Sequence, residues 1–232
     1  MAPITQAIAK FSSSSIGQKI IVAATGVMLM VFVVGHLLGN ALIFKGPEAV
    51  NTYAQKLHDL GALLWVARIG LLAAVAVHIL VTIRLTVRNR QARPARYEYD
   101  ATLTASKSSR TMIWSGSTIL AFIIYHLMHF TWGTFAGYYN PGSEFYLPDG
   151  RHDVYKMMVD GFSSWPISIF YIIAMGLLCS HLGHGFASVF QTLGITTRKS
   201  RPLIAGASWT FATVIFLGFS SIPVSVLLGL VH

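Results

Sequence analysis

The sequence predicts an all-α integral membrane protein whose 232 residues form one domain, a bundle of five transmembrane helices. Hydrophobic residues make up 54% of the chain and charged residues only 11%, whereas a soluble domain carries roughly a quarter charged residues. Five apolar runs are long enough to cross a bilayer, which takes about 20 residues. Backbone groups in lipid must pair within their own segment, so we expect these runs to be helices.

The predicted helices follow one another with connections too short for a second domain. They cover residues 20–42, 62–85, 111–136, 164–190 and 203–231. The first run is too long for the core of a signal peptide and lacks an obvious cleavage site, so we expect it to be retained. The serines at positions 12–15 precede this run and are suited to cap its first turn.

Lysine and arginine residues predict the orientation of the bundle. Twelve of them lie before helix one, between helices two and three, or between helices four and five, and five lie on the other side. Cytoplasmic loops are enriched in Lys and Arg, so the N-terminus is expected in the cytoplasm and the C-terminus outside. The net charge of +9 is therefore explained without nucleic-acid binding.

The connections between helices differ in character. The basic residues 84–110 are predicted to form a cytoplasmic loop that sets orientation or binds anionic lipid headgroups or a soluble partner. Residues 137–161 contain two turn signals rich in Pro and Gly and are expected to be an outer loop. The single cysteine, Cys179, lies in an apolar run and is expected to pack in the bundle without a disulfide.

Histidines are the chemically informative residues within the predicted spans. These residues are His36 in helix one, His78 in helix two, His126 and His129 in helix three, and His181 and His184 in helix four. Ionisable side chains inside a membrane are costly, usually face the bundle interior and usually mark a function. A proton pump would more often place carboxylates there, whereas neutral imidazole is an axial ligand of haem iron.

Four of these histidines fall at two depths, given a helix rise of about 1.5 Å per residue. His36 and His126 lie about 24 and 22 Å along helices that run outward, so both are near the outer face. His78 and His181 lie about 24 to 26 Å along helices that run inward, so both are near the cytoplasmic face. Two pairs of imidazoles, each from two helices, predict two bis-histidine haems stacked across the membrane.

A haem also brings two propionates, which require hydrogen-bond donors or cations. Arg84 lies six residues beyond His78 and is a candidate, as are Lys19 and Arg110, although each is equally suited to bind lipid phosphate. Small residues beside the histidines would admit a flat macrocycle or allow ordinary close packing of helices. These small residues are Gly35, Gly39, Ala74, Gly183 and Gly185.

Several short motifs occur in a fixed order along the chain. They are Thr25-Gly26 with His36-Leu37 ten residues after the glycine, Glu48-Ala49-Val50-Asn51, Gly116 with Tyr125-His126 ten residues after the glycine, and His181 with Gly185 and Gly194-Ile195-Thr196 behind it. In this order the chain resembles the cytochrome b subunit of the five-helix, dihaem succinate dehydrogenases and fumarate reductases of bacteria. The resemblance covers nearly the whole chain.

This resemblance implies which histidines bind iron. His126 rather than His129, and His181 rather than His184, match the axial ligands of the family. His129 and His184 would then bond water, propionate or quinone. The implied pairs are His78 with His181 for an inner haem b and His36 with His126 for an outer haem b.

The resemblance also implies a function and partners. The chain would anchor a flavoprotein subunit and an iron–sulfur subunit to the bacterial cytoplasmic membrane, and electrons would pass through the haems to a quinone, expected to be menaquinone. No catalytic residue is assigned. Glu48, His58 and Asp59 in the outer connection are candidates for proton transfer to the quinone or for plain solvation, and residues 14–19 are candidates for contact with a partner subunit.

The sequence differs from the family at the expected propionate partners, and two other functions are compatible with the histidine pattern. The positions where some members carry polar residues for a propionate are here Val22 and Ala23. The chain could instead be the dihaem anchor of a membrane hydrogenase or formate dehydrogenase. A transporter or channel that relays protons through histidines, without haem, is the alternative from a different class.

Overall fold

A computed structural model of the chain describes residues 2–92 and 111–232. Arg93, Arg96, Lys107 and the predicted propionate partner Arg110 therefore lie outside the described residues. Within these ranges the secondary structure is helical, apart from an isolated bridge between Tyr146 and His152. The α-helices are α1 (Ala2–Ser13), α2 (Ser15–Asn40), α3 (Pro47–His58), α4 (Ala62–Gln91), α5 (Met112–His126), α6 (Val154–Ser163), α7 (Trp165–Thr192) and α8 (Arg201–Leu227).

Five helices in the described part of the chain are long and apolar enough to cross a membrane. They are α2 with a 3₁₀ extension (Ala41–Lys45), α4, α5 with a π-helical extension (Leu127–Thr131), α7 and α8. The predicted all-α class and the five spans are confirmed, whereas the orientation across the membrane stays a prediction. We name the end where α2 begins and α4 ends the basic end, and the opposite end, which carries α3 and α6, the loop end.

The first span begins earlier than predicted because Ser14 caps it. The Ser14 hydroxyl oxygen accepts a hydrogen bond from the Gly17 amide at 2.9 Å, so α2 starts at Ser15 instead of residue 20. The same serine separates α2 from α1, a short helix that the sequence analysis did not predict. Three apolar side chains of α1, Ile4, Ile8 and Phe11, are exposed along one face.

The third and fifth spans end earlier than predicted. After α5 the π-helical segment stops at Thr131, and Gly133 follows with a φ of 60°. After α8 the chain leaves the helix at Leu228, and Gly229 has a φ of 68°. Glycine in the left-handed region commonly ends a helix. The predicted helices extend past these glycines because the residues on either side of them are apolar.

The loop end contains two helices where only connections were expected. The carboxylate of Asp153 caps α6 by accepting from the Lys156 amide at 3.0 Å. Asn51 of α3 is 2% exposed and joins the two helices, because its amide donates to Asp153 at 2.9 Å and its oxygen accepts from the Tyr155 amide at 3.0 Å. The predicted outer loop 137–161 is thus partly helical and is fastened to α3.

Packing brings the four histidine-bearing helices side by side. Helix α2 contacts α4 and α7, and α5 contacts α7, while α8 closes the bundle against α7. Between α2, α7 and α8 lies an apolar cluster built on Leu182, Ala212 and Ile215, and Cys179 packs against it as a free thiol. Histidines on α2, α4, α5 and α7 can therefore meet inside the bundle.

Candidate functional site

The predicted outer pair of histidines meets between α2 and α5. The ring centroids of His36 and His126 lie 5.7 Å apart, and the ring planes are inclined by 84°. An imidazole nitrogen binds a metal at about 2.0 Å, so two rings on opposite sides of one ion need a centroid separation of about 6 Å. The observed separation fits two ligands of one metal ion.

The predicted inner pair is held by hydroxyl groups of the neighbouring helices. His78 and His181 lie within electrostatic range of each other. Nδ1 of His78 lies 3.0 Å from the Thr25 hydroxyl, and Nδ1 of His181 lies 3.1 Å from the Ser115 hydroxyl. These are interhelical contacts, from α4 to α2 and from α7 to α5.

The hydroxyls that contact the inner histidines also lie within hydrogen-bond distance of backbone carbonyls. The Thr25 hydroxyl lies 2.8 and 3.1 Å from the Ile21 and Val22 carbonyl oxygens, and the Ser115 hydroxyl lies 3.1 Å from the Met112 carbonyl oxygen. When the single hydroxyl proton goes to a carbonyl, as is usual for Ser and Thr inside a helix, the hydroxyl oxygen accepts from the Nδ1–H of the histidine. In that arrangement the proton is on Nδ1 and the Nε2 lone pair is available to a metal.

Glycines next to these hydroxyls face the inner histidines at ordinary contact distance. A Cβ added to Gly26 would lie 3.4 Å from Cε1 of His78, and a Cβ added to Gly116 would lie 3.5 Å from Cε1 of His181. The two arrangements are equivalent. Each hydroxyl residue is followed directly by a glycine and, after nine further residues, by a histidine, which is His36 on α2 and His126 on α5. Each member on α5 lies 90 positions after its counterpart on α2, as Ser115 does after Thr25.

Sequence reasoning noted the two glycine spacings but assigned no role to Thr25 and did not single out Ser115. The repeated pattern was the available signal. It was missed because a search for long repeats passes over two short matches separated by 90 residues.

The outer histidines have less symmetric neighbours. The Asn40 amide nitrogen donates to the His36 carbonyl at 2.7 Å and lies 3.3 Å from His36 Nδ1. An amide nitrogen only donates, so in this contact Nδ1 of His36 is the acceptor, unlike Nδ1 of the inner histidines. Nδ1 of His126 faces the Tyr171 hydroxyl at 3.4 Å, and that hydroxyl also lies 2.9 Å from Nδ1 of His129. Tyr171, an aromatic residue in an apolar run, carried no sequence signal for this role.

The two remaining span histidines differ in their relation to the pairs. His129 is 3% exposed and is linked to His126 through Tyr171. Nε2 of His184 lies 3.1 Å from the Ser188 hydroxyl, one turn along the same helix. His129 is therefore joined to the outer pair, whereas the hydrogen bond of His184 stays within α7.

The small residues beside the histidines divide into two groups. A Cβ added to Gly35, which is exposed, or to Gly185 would meet no atom within 4 Å, so neither glycine is required by packing within the chain. A Cβ on Gly39 would instead strike Tyr53 at 2.6 Å, and a Cβ on Gly183 would reach Trp209 at 3.0 Å. The second group is explained by packing within the protein.

The predicted propionate partners on the basic end do not contact the histidines. Arg84 is exposed and has no hydrogen bond or ion pair within the described ranges, and Lys19 is exposed as well. Counting about 100° per residue, Arg84 projects about 120° away from the face of α4 that carries His78. The position of Arg84 gives no support to the role predicted for it.

The candidates for proton transfer lie at the surface of the loop end. Glu48 pairs with Arg151 at 3.3 Å, and Arg151 also pairs with Asp149 at 2.7 Å. Hydrogen bonds from Thr52 and Arg151 hold the pKa of Glu48 below its usual value. Asp59 accepts a hydrogen bond from Gln55 in the last turn of α3, the helix that His58 ends.

The histidines of the described residues come in pairs and not in larger metal-binding groups. No set of three or more His, Cys, Asp or Glu side chains in residues 2–92 and 111–232 is arranged to hold a metal ion. A bare Zn²⁺ site would need more protein ligands than a pair supplies, whereas haem iron takes its other four ligands from the porphyrin. The donor set therefore fits a haem better than a bare ion.

Comparison of this chain with protein-family models, with curated proteins and with solved structures found no match. Support for a function therefore comes from the residues of this chain alone: two imidazole pairs, each drawn from two spanning helices, at two levels of the bundle.

Proposed function

We propose that this chain is the membrane-anchor, dihaem cytochrome b subunit of a bacterial succinate:quinone oxidoreductase. The observation that carries the proposal is the placement of four histidines from α2, α4, α5 and α7 in two pairs: the rings of His36 and His126 are 5.7 Å apart, and His78 is near enough to His181 to interact with it electrostatically. Both inner histidines also have a hydroxyl partner at Nδ1, Thr25 for His78 and Ser115 for His181, which is suited to accept the Nδ1 proton and leave Nε2 free for iron. The ordered motifs that resemble the dihaem family add independent support.

In this proposal His78 and His181 hold the inner haem b, and His36 and His126 hold the outer one. Each haem, when bound, supplies an iron that accepts and releases one electron. With two histidines to hold each haem, the sites would suit electron transfer and not the binding of O₂. The chain itself supplies ligand orientation, a water-poor surrounding and the spacing between the sites.

The spacing of the two levels suits transport of electrons across a bilayer. Gly26, which lies against His78, and His36 are ten residues apart on α2, a rise of about 15 Å. The same ten residues separate Gly116 from His126 on α5. One pair of helices therefore sets the distance between both sites.

We place the partners from the charge distribution and from the resemblance to the family. The basic end, expected in the cytoplasm, would receive the iron–sulfur subunit and, through it, the flavoprotein that reacts with succinate or fumarate. The quinone, expected to be menaquinone, would react near the outer pair at the loop end. The chain is thus a subunit of a respiratory enzyme in the bacterial cytoplasmic membrane and carries no flavin chemistry itself.

Haem content tests this proposal directly. The chain is purified from membranes with haem supplied, and haem b per chain is measured from the dithionite-reduced spectrum and by extraction. We expect two haems in the wild type and loss of one in either His78→Ala or His36→Ala, with His58→Gln as a matched surface control that keeps both. A colourless protein would contradict the proposal and favour the histidine-based proton transporter.

Co-purification separates the proposed complex from other dihaem anchors. The full chain carries an affinity tag and is extracted in mild detergent from its native membrane, and the bound subunits are identified by mass spectrometry. We expect a flavoprotein and an iron–sulfur protein together with succinate-dependent reduction of the haem b band. A hydrogenase or formate dehydrogenase subunit in their place would overturn the assignment.

A further inference from the structure

We infer that Gln18, Thr82 and Arg88 form a carboxylate-binding site at the basic end of the bundle, which takes a propionate of the inner haem. The inference rests on the proposed function and replaces Arg84 as the partner of that propionate. It begins from two buried donors that have no acceptor within the described part of the chain.

The first unpaired donor is the side-chain amide of Gln18. Gln18 is 1% exposed, near the start of α2, and its Nε2 has no hydrogen-bond partner among the described residues. Its Oε1 accepts from the Arg88 guanidinium at 3.3 Å, and this contact fixes which side of the amide is free. A buried donor without an acceptor is unfavourable, so an acceptor is expected at this position.

The second unpaired donor is the hydroxyl of Thr82 on α4. Threonines inside helices usually bond the carbonyl one turn earlier, as Thr86 does to the Thr82 carbonyl at 2.9 Å. The Thr82 hydroxyl is buried and makes no such bond within the described residues. Its proton is therefore available to a group outside the described residues.

Arg88 adds a positive charge to these donors. Its guanidinium donates to the Ser13 carbonyl at 2.7 Å and to Gln18, and no carboxylate of the described residues pairs with it. An amide N–H, a hydroxyl and a guanidinium are all donors, and together they are suited to an anion with several acceptor atoms.

Helix periodicity places these groups next to the inner histidines. Thr82 lies one turn beyond His78 on nearly the same face of α4, about 6 Å nearer the basic end. Gln18 lies two turns before Thr25 on nearly the same face of α2, about 10 Å nearer that end. The pairs Thr25–His78 and Gln18–Arg88 show that the two helices are antiparallel, so both donors lie on the same side of His78.

Burial favours a carboxylate that is carried into the bundle by the haem. A phospholipid phosphate is the other source of an anion, but it would have to reach a side chain that is 1% exposed. A propionate extends from a macrocycle that is already ligated by His78 and His181. We therefore assign the site to the propionate and make the lipid an outcome of the test.

The test measures the midpoint potentials of both haems in the purified holoprotein. A hydrogen-bonded propionate has part of its negative charge screened, and loss of that screening stabilises ferric iron. The redox component that is missing in His78→Ala identifies the inner haem. We expect Gln18→Leu and Thr82→Val each to lower the midpoint potential of that haem and to leave the potential of the outer haem unchanged. Thr86→Val and Arg84→Gln are matched controls, one turn and two residues from Thr82, that should shift neither component.

Three results would overturn the inference while the proposed function stands. These are unchanged potentials in both variants, equal shifts in the Thr86→Val control, and a shift that appears only after anionic phospholipid is added to delipidated protein. Should Gln18→Leu fail to fold, the smaller change Thr82→Val decides the outcome. A wild-type protein without haem would instead refute the proposed function, and that result is seen before any variant is made.

Discussion

The hydroxyl of Thr25 on α2 lies 3.0 Å from Nδ1 of His78 on α4 and uses its own proton on the carbonyls of Ile21 and Val22. With the hydroxyl proton on a carbonyl, the histidine donates and its other ring nitrogen keeps a free lone pair. One hydroxyl thus connects two spans and orients an imidazole. Ser115 has the same relation to His181 across α5 and α7.

Replacing Thr25 by valine should weaken binding of the inner haem while the bundle stays folded. Valine has nearly the same shape as threonine but cannot accept from the His78 ring, and loss of such an outer-shell partner lowers metal affinity by about 10- to 100-fold. The measurement is the haem content of the purified chain over a series of haem concentrations. Thr25→Ser keeps the hydroxyl and should bind like the wild type, and equal affinity in the valine variant would contradict the role given to Thr25.

The five spans could be predicted from the sequence because their apolar runs exceed the thickness of the bilayer, and the two histidine levels followed from helix rise alone. Three shorter helices could not be found in the same way. Helix α6, for example, has ten residues within a segment rich in Gly and Pro, and its start depends on the cap by Asp153. The roles of Thr25 and Tyr171 required knowledge of which helix faces which, since each contacts a histidine more than 40 residues away in the chain.

Gly17 should prove necessary for the position of α1. A Cβ at this residue would lie 1.9 Å from the Phe11 carbonyl oxygen, so Gly17→Ala must move α1 away from the start of α2. Arg88 would then lose its acceptor on Ser13. We expect faster amide hydrogen exchange in residues 2–13 and unchanged helix content by circular dichroism. Gly70→Ala is the control, because a Cβ there meets no atom within 4 Å, and equal exchange in the two variants would contradict this account.

Asn51 should stabilise the loop end through its two buried hydrogen bonds. Asn51→Ala leaves the Tyr155 amide without its acceptor and Asp153 without a donor, at an expected cost of about 1–3 kcal/mol. Denaturant unfolding in detergent should show this loss of stability, and hydrogen exchange should locate it at the start of α6. Thr52→Ala, one residue further along α3, removes only an exposed bond to Glu48 and should cost much less.

The segment that carries His152 should loosen as the pH falls. Burial lowers the pKa of His152 below its ordinary value near 6.5, although its hydrogen bond to the Tyr138 carbonyl opposes the shift. Between the pKa of His152 in the closed segment and its ordinary value, the opened segment binds more protons than the closed one. The closed form therefore loses stability as the pH falls from about 7. Hydrogen exchange around residues 138–152, corrected for intrinsic rates, should accelerate over that range. His152→Gln should remove the acceleration, and a variant that kept it would assign the effect to another group.

Replacing Tyr171 by phenylalanine should change the properties of the proposed outer haem, because the Tyr171 hydroxyl contacts a histidine of the outer pair. That hydroxyl lies 3.4 Å from Nδ1 of His126 and 2.9 Å from Nδ1 of His129, so Tyr171→Phe removes the shared partner of both rings and leaves the packing in place. We expect the electron paramagnetic resonance signal and the midpoint potential of the outer haem to shift, because the orientation and basicity of His126 change. The proposed inner haem, whose histidines contact Thr25 and Ser115 instead, should keep its values in the same sample. A shift of both haems would indicate a general loss of packing around the 6% exposed Tyr171, and a shift of neither would mean that the hydroxyl has no part in holding His126.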